Sequence, residues 1–239
     1  MSDDVRRSRI NWPSTLTEVG LILLGLLLAF SADRFWENKQ ERLRESDYLA
    51  RLHDDLVTTA ASLDSAIVHQ DRVLEAGREI LDAAVDPNAP GAESDFAAAI
   101  PTVFDFRSPT FVTATYDDLL NSGNLGLVRD QELRTVLAEF DALLDGHIAL
   151  GERVVLDEWI HRVRPILGQA FPAEVYQLPE DRSRMGVPTS PFSSDLRDTM
   201  ESLEFWNLVT HRLIVADSRK TTFIRARDLA NRLVALTAS

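Results

Sequence analysis

The residues best suited to chemistry are a glutamate and a histidine three positions apart, in the sequence Glu158-Trp-Ile-His161. On a helix this spacing puts a carboxylate and an imidazole on one face, and di-iron helical bundles use such a pair twice. None of the other four histidines has a glutamate three residues earlier. A single pair of this kind is typical of a solvated helix surface. We therefore predict no metal site and keep Glu158 and His161 as the candidate ligands.

Two further groups combine histidine with acidic residues at near-helical spacing. They are His53, Asp54 and Asp55 with His69 and Asp71, and Asp141 and Asp145 with His147. Such clusters usually mark the wet side of a helix, and we interpret them as solvated faces. No nucleophile elbow and no phosphate-binding glycine loop occurs, and cysteine is absent, which excludes a thiolate zinc site or a cysteine nucleophile. The sequence thus predicts no catalytic residue and no cofactor.

Helices are the elements predicted to position these residues. Between residues 49 and 84, one seam alternates steps of three and four: Leu49, Leu52, Leu56, Thr59, Leu63, Ala66, Gln70, Val73, Gly77, Ile80 and Ala84. Several members are small or polar, so the seam favours a helix packed against its own chain over a lone two-stranded coiled coil. Pairing of two copies through the same seam stays open at this point.

The later helices are predicted from start and stop signals. Asp86-Pro-Asn-Ala-Pro-Gly91 is typical of a loop, and a short helix from Asp95 to Phe104 is expected to be interrupted at Pro101. We expect a helix from Ser108-Pro109 to Asn121, a second from Asp130 to near Pro165 to Gly168, and a third from Ser194 to near Leu236. Gly123 is expected in a left-handed cap. The apolar residues of a Pro-rich loop are expected to pack against the helices: Phe171, Val175 and Tyr176. No strand is predicted.

One stretch has the length and apolar composition expected of a transmembrane helix. The seventeen residues from Leu16 to Ala32 include ten large apolar ones. As a helix they span roughly 25 Å, slightly less than the hydrocarbon core of about 30 Å. Tryptophans flank the stretch, at the depth where the headgroup belts prefer them. The predicted anchor residues are Trp12, Leu16, Leu21, Leu24, Leu28, Phe30 and Trp36.

Two alternatives to an uncleaved anchor are open. Arg6, Arg7 and Arg9 followed by an apolar run and Ala29-Phe30-Ser31 fit a cleaved signal peptide, and a buried soluble helix is the other reading. Against cleavage, the helical pattern continues through Asp33 to Trp36 without a break. The more positive start of the chain favours an N-terminus inside and a C-terminal domain outside the cytoplasm.

The charge balance restricts the partners. The chain carries 25 basic and 38 acidic residues, for a net charge of −13. A domain this acidic repels phosphate, so nucleic acid is not an expected partner. The expected partners are the lipid bilayer and a protein, or a second copy of the chain, bound through helices. The loop of Asn121, Ser122, Gly123 and Asn124 is interpreted first as a helix cap, and a partner-facing surface is the functional alternative.

Three stretches resemble a known family. They are Glu18-Val-Gly with Leu-Leu-Gly-Leu-Leu-Leu-Ala-Phe running into Asp33-Arg-Phe-Trp-Glu-Asn, then Tyr48-Leu-Ala-Arg-Leu-His-Asp-Asp-Leu56, and Thr115-Tyr-Asp-Asp-Leu-Leu-Asn-Ser-Gly-Asn-Leu-Gly-Leu127. Together they resemble a family of small single-span bacterial membrane proteins of unknown function. The resemblance implies a helical protein of the bacterial inner membrane and transfers no catalytic residue.

We therefore predict an all-α protein in which an N-terminal transmembrane helix continues into an elongated antiparallel helical bundle. The expected segments are a tail at residues 1–15, the transmembrane helix at 16–36 and the bundle domain at 37–239, with loops near 86–94 and 168–193. The expected function is a non-enzymatic membrane-anchored sensor, scaffold or interaction module. The alternatives are a metal-dependent helical enzyme centred on Glu158 and His161, and a secreted helical binding protein.

Overall fold

The protein is all-α in the part of the chain that its structure, a computed structural model, describes. That part comprises residues 12–172, 175–176, 183–184, 186, 189–192 and 195–238, and none of it forms a strand. The prediction of an all-helical fold is confirmed. The chain divides into two compact units, Met1–Tyr48 and Leu49–Ser239, which are described separately.

The first helix, α1, extends from Trp12 to Val85 and contributes to both units. In the first unit its large apolar side chains are exposed from Leu21 to Trp36 wherever they are described. The side chains of the predicted anchor residues Trp12 and Leu16 lie outside the described part. No helix has, among the described residues, a stretch that is both long and apolar enough to cross a membrane.

In the second unit, the predicted seam of α1 is buried within the single chain. Every seam position from Leu52 to Ile80 is buried, and only Leu49 and Ala84, at its two ends, are half-buried. The three-four spacing therefore predicted the buried face of this helix correctly. Gly77 has a geometric role, since a Cβ there would lie 2.3 Å from Cδ2 of Leu213. The bare backbone at Gly77 lets the last long helix approach α1 closely.

The next two helices are α2, Ala92–Val103, and α3, Ala114–Asn121. The expected interruption of α2 at Pro101 is wrong, because this proline lies in the last turn and the helix continues to Val103. Gly123 adopts the predicted left-handed conformation, with φ of +73°. A 3-10 turn, Asn124–Leu127, follows it.

The prediction of a helix start at Ser108-Pro109 is also wrong. Residues 104–113 are not helical apart from a turn at Phe104, and we call this segment the strap. Ser108 and Pro109 fit a helix start by local propensity alone. The strap stays out of helix because side chains of α1 and of the last helix bind its backbone, as described below.

The third long helical run extends from Gln131 to Ala170, as predicted to within a few residues. It comprises α4, Gln131–Leu143, α5, Leu150–Glu158, and α6, Arg164–Ala170, joined by π-helical turns at Leu144–Ala149 and Trp159–Val163. Asp130 caps its start as expected, since its Oδ1 accepts hydrogen bonds from the N–H groups of Glu132 at 2.7 Å and Leu133 at 3.1 Å.

The last helical part consists of α7, Leu196–Met200, and α8, Leu203–Thr237. A single helix from Ser194 was expected, and the described chain instead breaks at Glu201. Ser202 lies at this break and starts α8, because its hydroxyl accepts the N–H of Phe205, while Asp195 caps the start of α7. Most of the predicted loop at 168–193 lies outside the described residues.

One apolar core joins the end of α1 to α2 and to parts of the later helices. At its centre, Phe205 of α8 contacts three phenylalanine rings, Phe96, Phe104 and Phe171, at centroid distances of 5.4, 6.1 and 5.7 Å. Tilted and edge-on ring contacts of this kind add to the free energy gained by burial alone. Val175 and Tyr176 pack against the same core, as the sequence predicted.

Gln70 is the least expected member of the buried seam. It is fully buried, and neither of its side-chain amide atoms has a hydrogen-bond partner within the described part of the chain. An unmade buried hydrogen bond costs roughly 1–3 kcal/mol. Gln70→Met keeps the shape and removes both polar atoms, so we expect it to raise the free energy of unfolding by about 1–2 kcal/mol.

Urea unfolding of the full chain in one detergent, followed by circular dichroism, measures this change. Gln40→Met, at an exposed position of the same helix, is the matched control and should change stability by less than about 0.5 kcal/mol. A Gln70→Met protein less stable than the wild type would contradict the prediction.

Candidate functional site

The strap is the part of the structure in which polar side chains converge. It connects α2 to α3 as non-helical chain, so its N–H and C=O groups lack the hydrogen bonds that a helix supplies. Its Phe104 and neighbouring Val103 are buried, which removes water as a partner for the carbonyl of Val103. The Val103 carbonyl must therefore find a side-chain donor, and side chains also bind the more exposed backbone groups of the strap.

One helix, α1, provides the acceptors. The N–H of Thr110 donates to Ser62 Oγ at 2.7 Å, and the N–H of Val112 donates to Thr59 Oγ1 at 3.0 Å. Just beyond the strap, the N–H of Thr115 donates to the Asp55 carboxylate at 3.1 Å. Positions 55, 59 and 62 share one face of a helix because they are four and three residues apart. As the strap advances it meets earlier residues of α1, so the two run antiparallel.

The other long helix, α8, provides the donors. Arg212 donates from Nε to the carbonyl of Val103 at 2.9 Å and from Nη2 to the carbonyl of Asp105 at 3.1 Å. One heptad later, Arg219 donates from Nη2 to the carbonyl of Arg107 at 3.0 Å. A seven-residue step returns to the same helix face, so both guanidinium groups reach the strap from one side.

Arg212 is a buried cation, only 2% exposed. Its guanidinium carbon lies 4.2 Å from the centroid of the Phe106 ring, which contributes a cation–π contact. Burial lowers the pKa of Arg212 to about 9, helped by the positive charge of Arg219, while Asp105 and Glu152 oppose the shift. Since this pKa remains above neutral pH, the side chain stays charged and keeps its role as a donor.

Arg219 has an anionic partner close by. Its Nη2 and Nε atoms lie 2.6 and 3.1 Å from Oε1 of Glu152 in α5. Ser108 of the strap donates its hydroxyl to the other oxygen of that carboxylate. This pair is largely buried, at 9% exposure for the Arg219 side chain and 27% for Glu152. It therefore ties α5, α8 and the strap together.

His69 of α1 also binds the backbone of the strap. A carbonyl can only accept, so the 3.2 Å contact with the Asp105 carbonyl requires His69 to donate from Nε2. Burial lowers the pKa of His69 below its usual 6.5, although the carboxylate of Asp105, 3.9 Å from Nδ1, favours protonation. The imidazole is thus neutral at physiological pH.

A surface cavity of about 490 Å³ lies between α1 and the strap. Its lining combines hydroxyl, basic and small apolar groups from both sides: Ser62, Asp64, Ser65, Ala66, Val68, His69, Arg72, Arg107, Ser108 and Pro109. The volume falls within the range of small-molecule sites. Its lining supplies hydrogen-bond donors and positive charge, which suit binding of a polar ligand.

The predicted candidate ligands Glu158 and His161 contact different partners. His161 is exposed, and its Nε2 lies 3.5 Å from Asp157. The Glu158 carboxylate lies 2.7 Å from Nε2 of His211 in α8 and 3.5 Å from Arg162. The His211 contact has the distance of an ion pair without the geometry of a hydrogen bond. No group of three or more His, Asp or Glu side chains that could hold a metal ion occurs among the described residues.

The side chains of the two predicted clusters of acidic and histidine residues also contact different partners. Within the first, Asp55 and His69 bind the strap region, while Asp71 pairs with Lys220 at 2.6 Å. His53 forms a 3.1 Å hydrogen bond with the hydroxyl of Thr237 near the end of α8. A fully solvated face was therefore the wrong interpretation for His69, which is buried.

In the second cluster, Asp141 shares a hydrogen bond with the hydroxyl of Tyr116. Burial and the nearby carboxylates of Asp145 and Asp117 raise the pKa of Asp141, while the bond to Tyr116 opposes the rise. The side chain of His147 lies outside the described part. The predicted partner-facing loop is exposed at Asn121, Ser122 and Gly123 and half-buried at Asn124; its role as a docking surface stays a prediction.

Sequence reasoning missed Arg212 and Arg219 as functional residues. Their heptad spacing was a usable signal, because an apolar face that carries arginine at one-heptad intervals needs buried acceptors nearby. Nothing local indicated that those acceptors would be the carbonyls of a segment more than a hundred residues earlier.

Comparison of the chain with protein-family models, with curated proteins and with solved structures finds no match. The resemblance to single-span bacterial membrane proteins therefore stays a prediction.

Loss of the Arg212 side chain should destabilise the strap and with it the folded protein. Arg212→Met keeps much of the apolar stem but leaves the buried Val103 carbonyl without a donor and the Asp105 carbonyl with His69 alone, and we expect it to lower the free energy of unfolding by about 2–4 kcal/mol. Arg225→Met is the matched control on the same helix, since its ion pair with Glu139 is exposed and its loss should cost less than about 1 kcal/mol. Equal losses in the two variants, measured by urea unfolding, would contradict the assigned role of Arg212.

His69 should make stability depend on pH. Its pKa is lowered in the folded state, so below 6.5 the unfolded chain binds the proton more readily and stability falls as pH falls. His69→Gln retains an N–H donor for the Asp105 carbonyl but cannot titrate. Between about pH 7.5 and about pH 5.5 the wild type should lose more stability than this variant.

Urea denaturation at the two pH values gives the free energy of unfolding of each protein. In the difference between wild type and variant, the contributions of titratable groups common to both, such as Asp141, cancel. Parallel losses in wild type and His69→Gln would show that His69 does not carry the effect.

Proposed function

We propose that the protein is a membrane-anchored helical interaction module, of the sensor or scaffold kind, that acts without catalysis. The proposed anchor is the transmembrane segment 16–36, and the proposed location is the bacterial inner membrane. The chain would cross once, with Leu49–Ser239 outside the cytoplasm. The proposed partners are the bilayer and a protein bound by the helical unit.

The exposed apolar surface of α1 in the first unit carries this proposal. Seven side chains there are each at least 49% exposed: Leu21, Leu23, Leu24, Leu26, Leu27, Leu28 and Phe30. Consecutive helical residues are about 100° apart, so residues 26–28 alone surround most of the helix. A partner helix would cover one stripe of this surface. A bilayer covers all of it.

The free energy of insertion supports the same conclusion. Ten large apolar residues between Leu16 and Ala32 favour insertion by roughly 3–6 kcal/mol at about 0.3–0.6 kcal/mol each. Glu18 opposes insertion, but it lies near the edge of the proposed span 16–36, where the bilayer is wetter than at its centre.

The interaction part of the proposal is supported by the site. The groups around the strap bind one another and line a cavity, and the carboxylate of the ExxH pair lies against His211 instead of His161. With a net charge of −13, the chain is not expected to bind nucleic acid. A stoichiometric transition metal in purified protein would instead favour the metal-dependent enzyme.

Membrane retention tests the anchor. The full chain should remain in the membrane fraction after carbonate extraction, and a C-terminal reporter active only outside the cytoplasm should be active. The double substitution Leu24→Arg and Leu27→Arg raises the free energy of insertion by about 5–7 kcal/mol and should release the chain from the membrane.

Leu43→Arg is the matched control, since Leu43 is an exposed leucine of α1 outside the proposed span, and this variant should stay in the membrane. Extraction of the wild-type chain by carbonate, or a mature chain that starts near Ser31, would overturn the anchor. Activity of a reporter confined to the cytoplasm would reverse the orientation.

A further inference from the structure

We infer that the cavity between α1 and the strap binds a small anionic molecule through a carboxylate or phosphate group. This inference deepens the proposed function by naming a ligand class for the helical unit, and it rests on that function for its biological meaning. Three observations carry it: the two arginines on facing walls, the state of the nearby carboxylates, and the hydroxyl groups of the lining.

The two arginines approach the cavity from different elements. Arg72 belongs to α1 and Arg107 to the strap. A guanidinium group binds carboxylate or phosphate through parallel hydrogen bonds, so two of them on facing walls suit a small anion held between them. The Arg72 side chain is exposed and has no ion pair within the described ranges.

The carboxylates nearby are already engaged. Asp64, the acidic residue of the lining, lies 3.5 Å from Arg227 of α8. Asp105 does not line the cavity, and its Oδ2 accepts a 2.6 Å hydrogen bond from Arg107. Because His69 is neutral, and because Asp64 and Asp105 already pair with Arg227 and Arg107, Arg72 is the cation of the lining that has no paired carboxylate in the described part of the chain. Arg72 therefore places one uncompensated positive charge at the cavity, in a chain whose net charge is −13.

The lining also offers short polar side chains on both walls. Ser62 and Ser65 belong to α1, and Ser108, whose hydroxyl already donates to Glu152, belongs to the strap. Ser62 Oγ already accepts the N–H of Thr110, so its own hydroxyl hydrogen remains available to donate. A ligand that takes hydrogen bonds from both walls joins α1 to the strap. Its binding should therefore protect the strap backbone from exchange with solvent.

Calorimetry on the full chain in detergent tests the inference, with inorganic phosphate and citrate as probes and sodium chloride at matched ionic strength as the reference. At least one probe should bind saturably at millimolar concentration. The stronger of the two identifies the group, phosphate or carboxylate, that the cavity prefers. Arg72→Gln should weaken that binding about tenfold.

Arg78→Gln is the matched control, because Arg78 is another exposed arginine of α1 and does not line the cavity. It should bind the probe as the wild type does. Hydrogen exchange should then show that the bound probe slows exchange at Thr110 and Val112 in wild type and in Arg78→Gln, and far less in Arg72→Gln.

Failure of both anions to bind, or equal weakening by Arg72→Gln and Arg78→Gln, would overturn the inference. Binding without added protection of the strap would also overturn it, because the anion would then lie elsewhere. These outcomes are independent of carbonate extraction. A protein that binds the anion but leaves the membrane would refute only the anchor, and the converse result would refute only the cavity.

Discussion

The second unit depends on one constraint, which is that a non-helical segment with buried backbone groups must find hydrogen-bond partners away from water. The strap meets it through side chains of two long helices. Thr59 and Ser62 of α1 accept its N–H groups, and Arg212 and Arg219 of α8 donate to its carbonyls. The two helices thereby fix the strap between them.

This solution brings charge into the interior. Arg212 and Arg219 are nearly inaccessible to water, so each needs compensation nearby. Glu152 supplies it for Arg219 by direct contact, while Arg212 has two carbonyls and the face of Phe106. The acidic residue of α5 and the arginines of α8 are therefore parts of one arrangement, which also links the third helical run to the strap.

The same arrangement explains why the candidate site was hard to predict. Thr59 and Gln70 were visible as polar members of an apolar seam, and His69 as part of a polar cluster. The strap partners of Thr59 and His69 lie 53 and 36 residues away, and the carbonyls bound by Arg212 and Arg219 lie more than a hundred residues from them, beyond any local pattern. Local propensity at Ser108 favoured a helix start, and the hydrogen bonds from distant side chains outweighed it.

By itself, the sequence determined the helical class, the buried seam of α1, the cap at Asp130 and the left-handed turn at Gly123. Each of these follows from periodicity or from a side chain bonding its own neighbours. Only the tertiary structure decided that the strap would not be helical and that Glu158 would face His211. Those outcomes depend on which distant groups meet, and the free energy of such contacts is not encoded in any short stretch of chain.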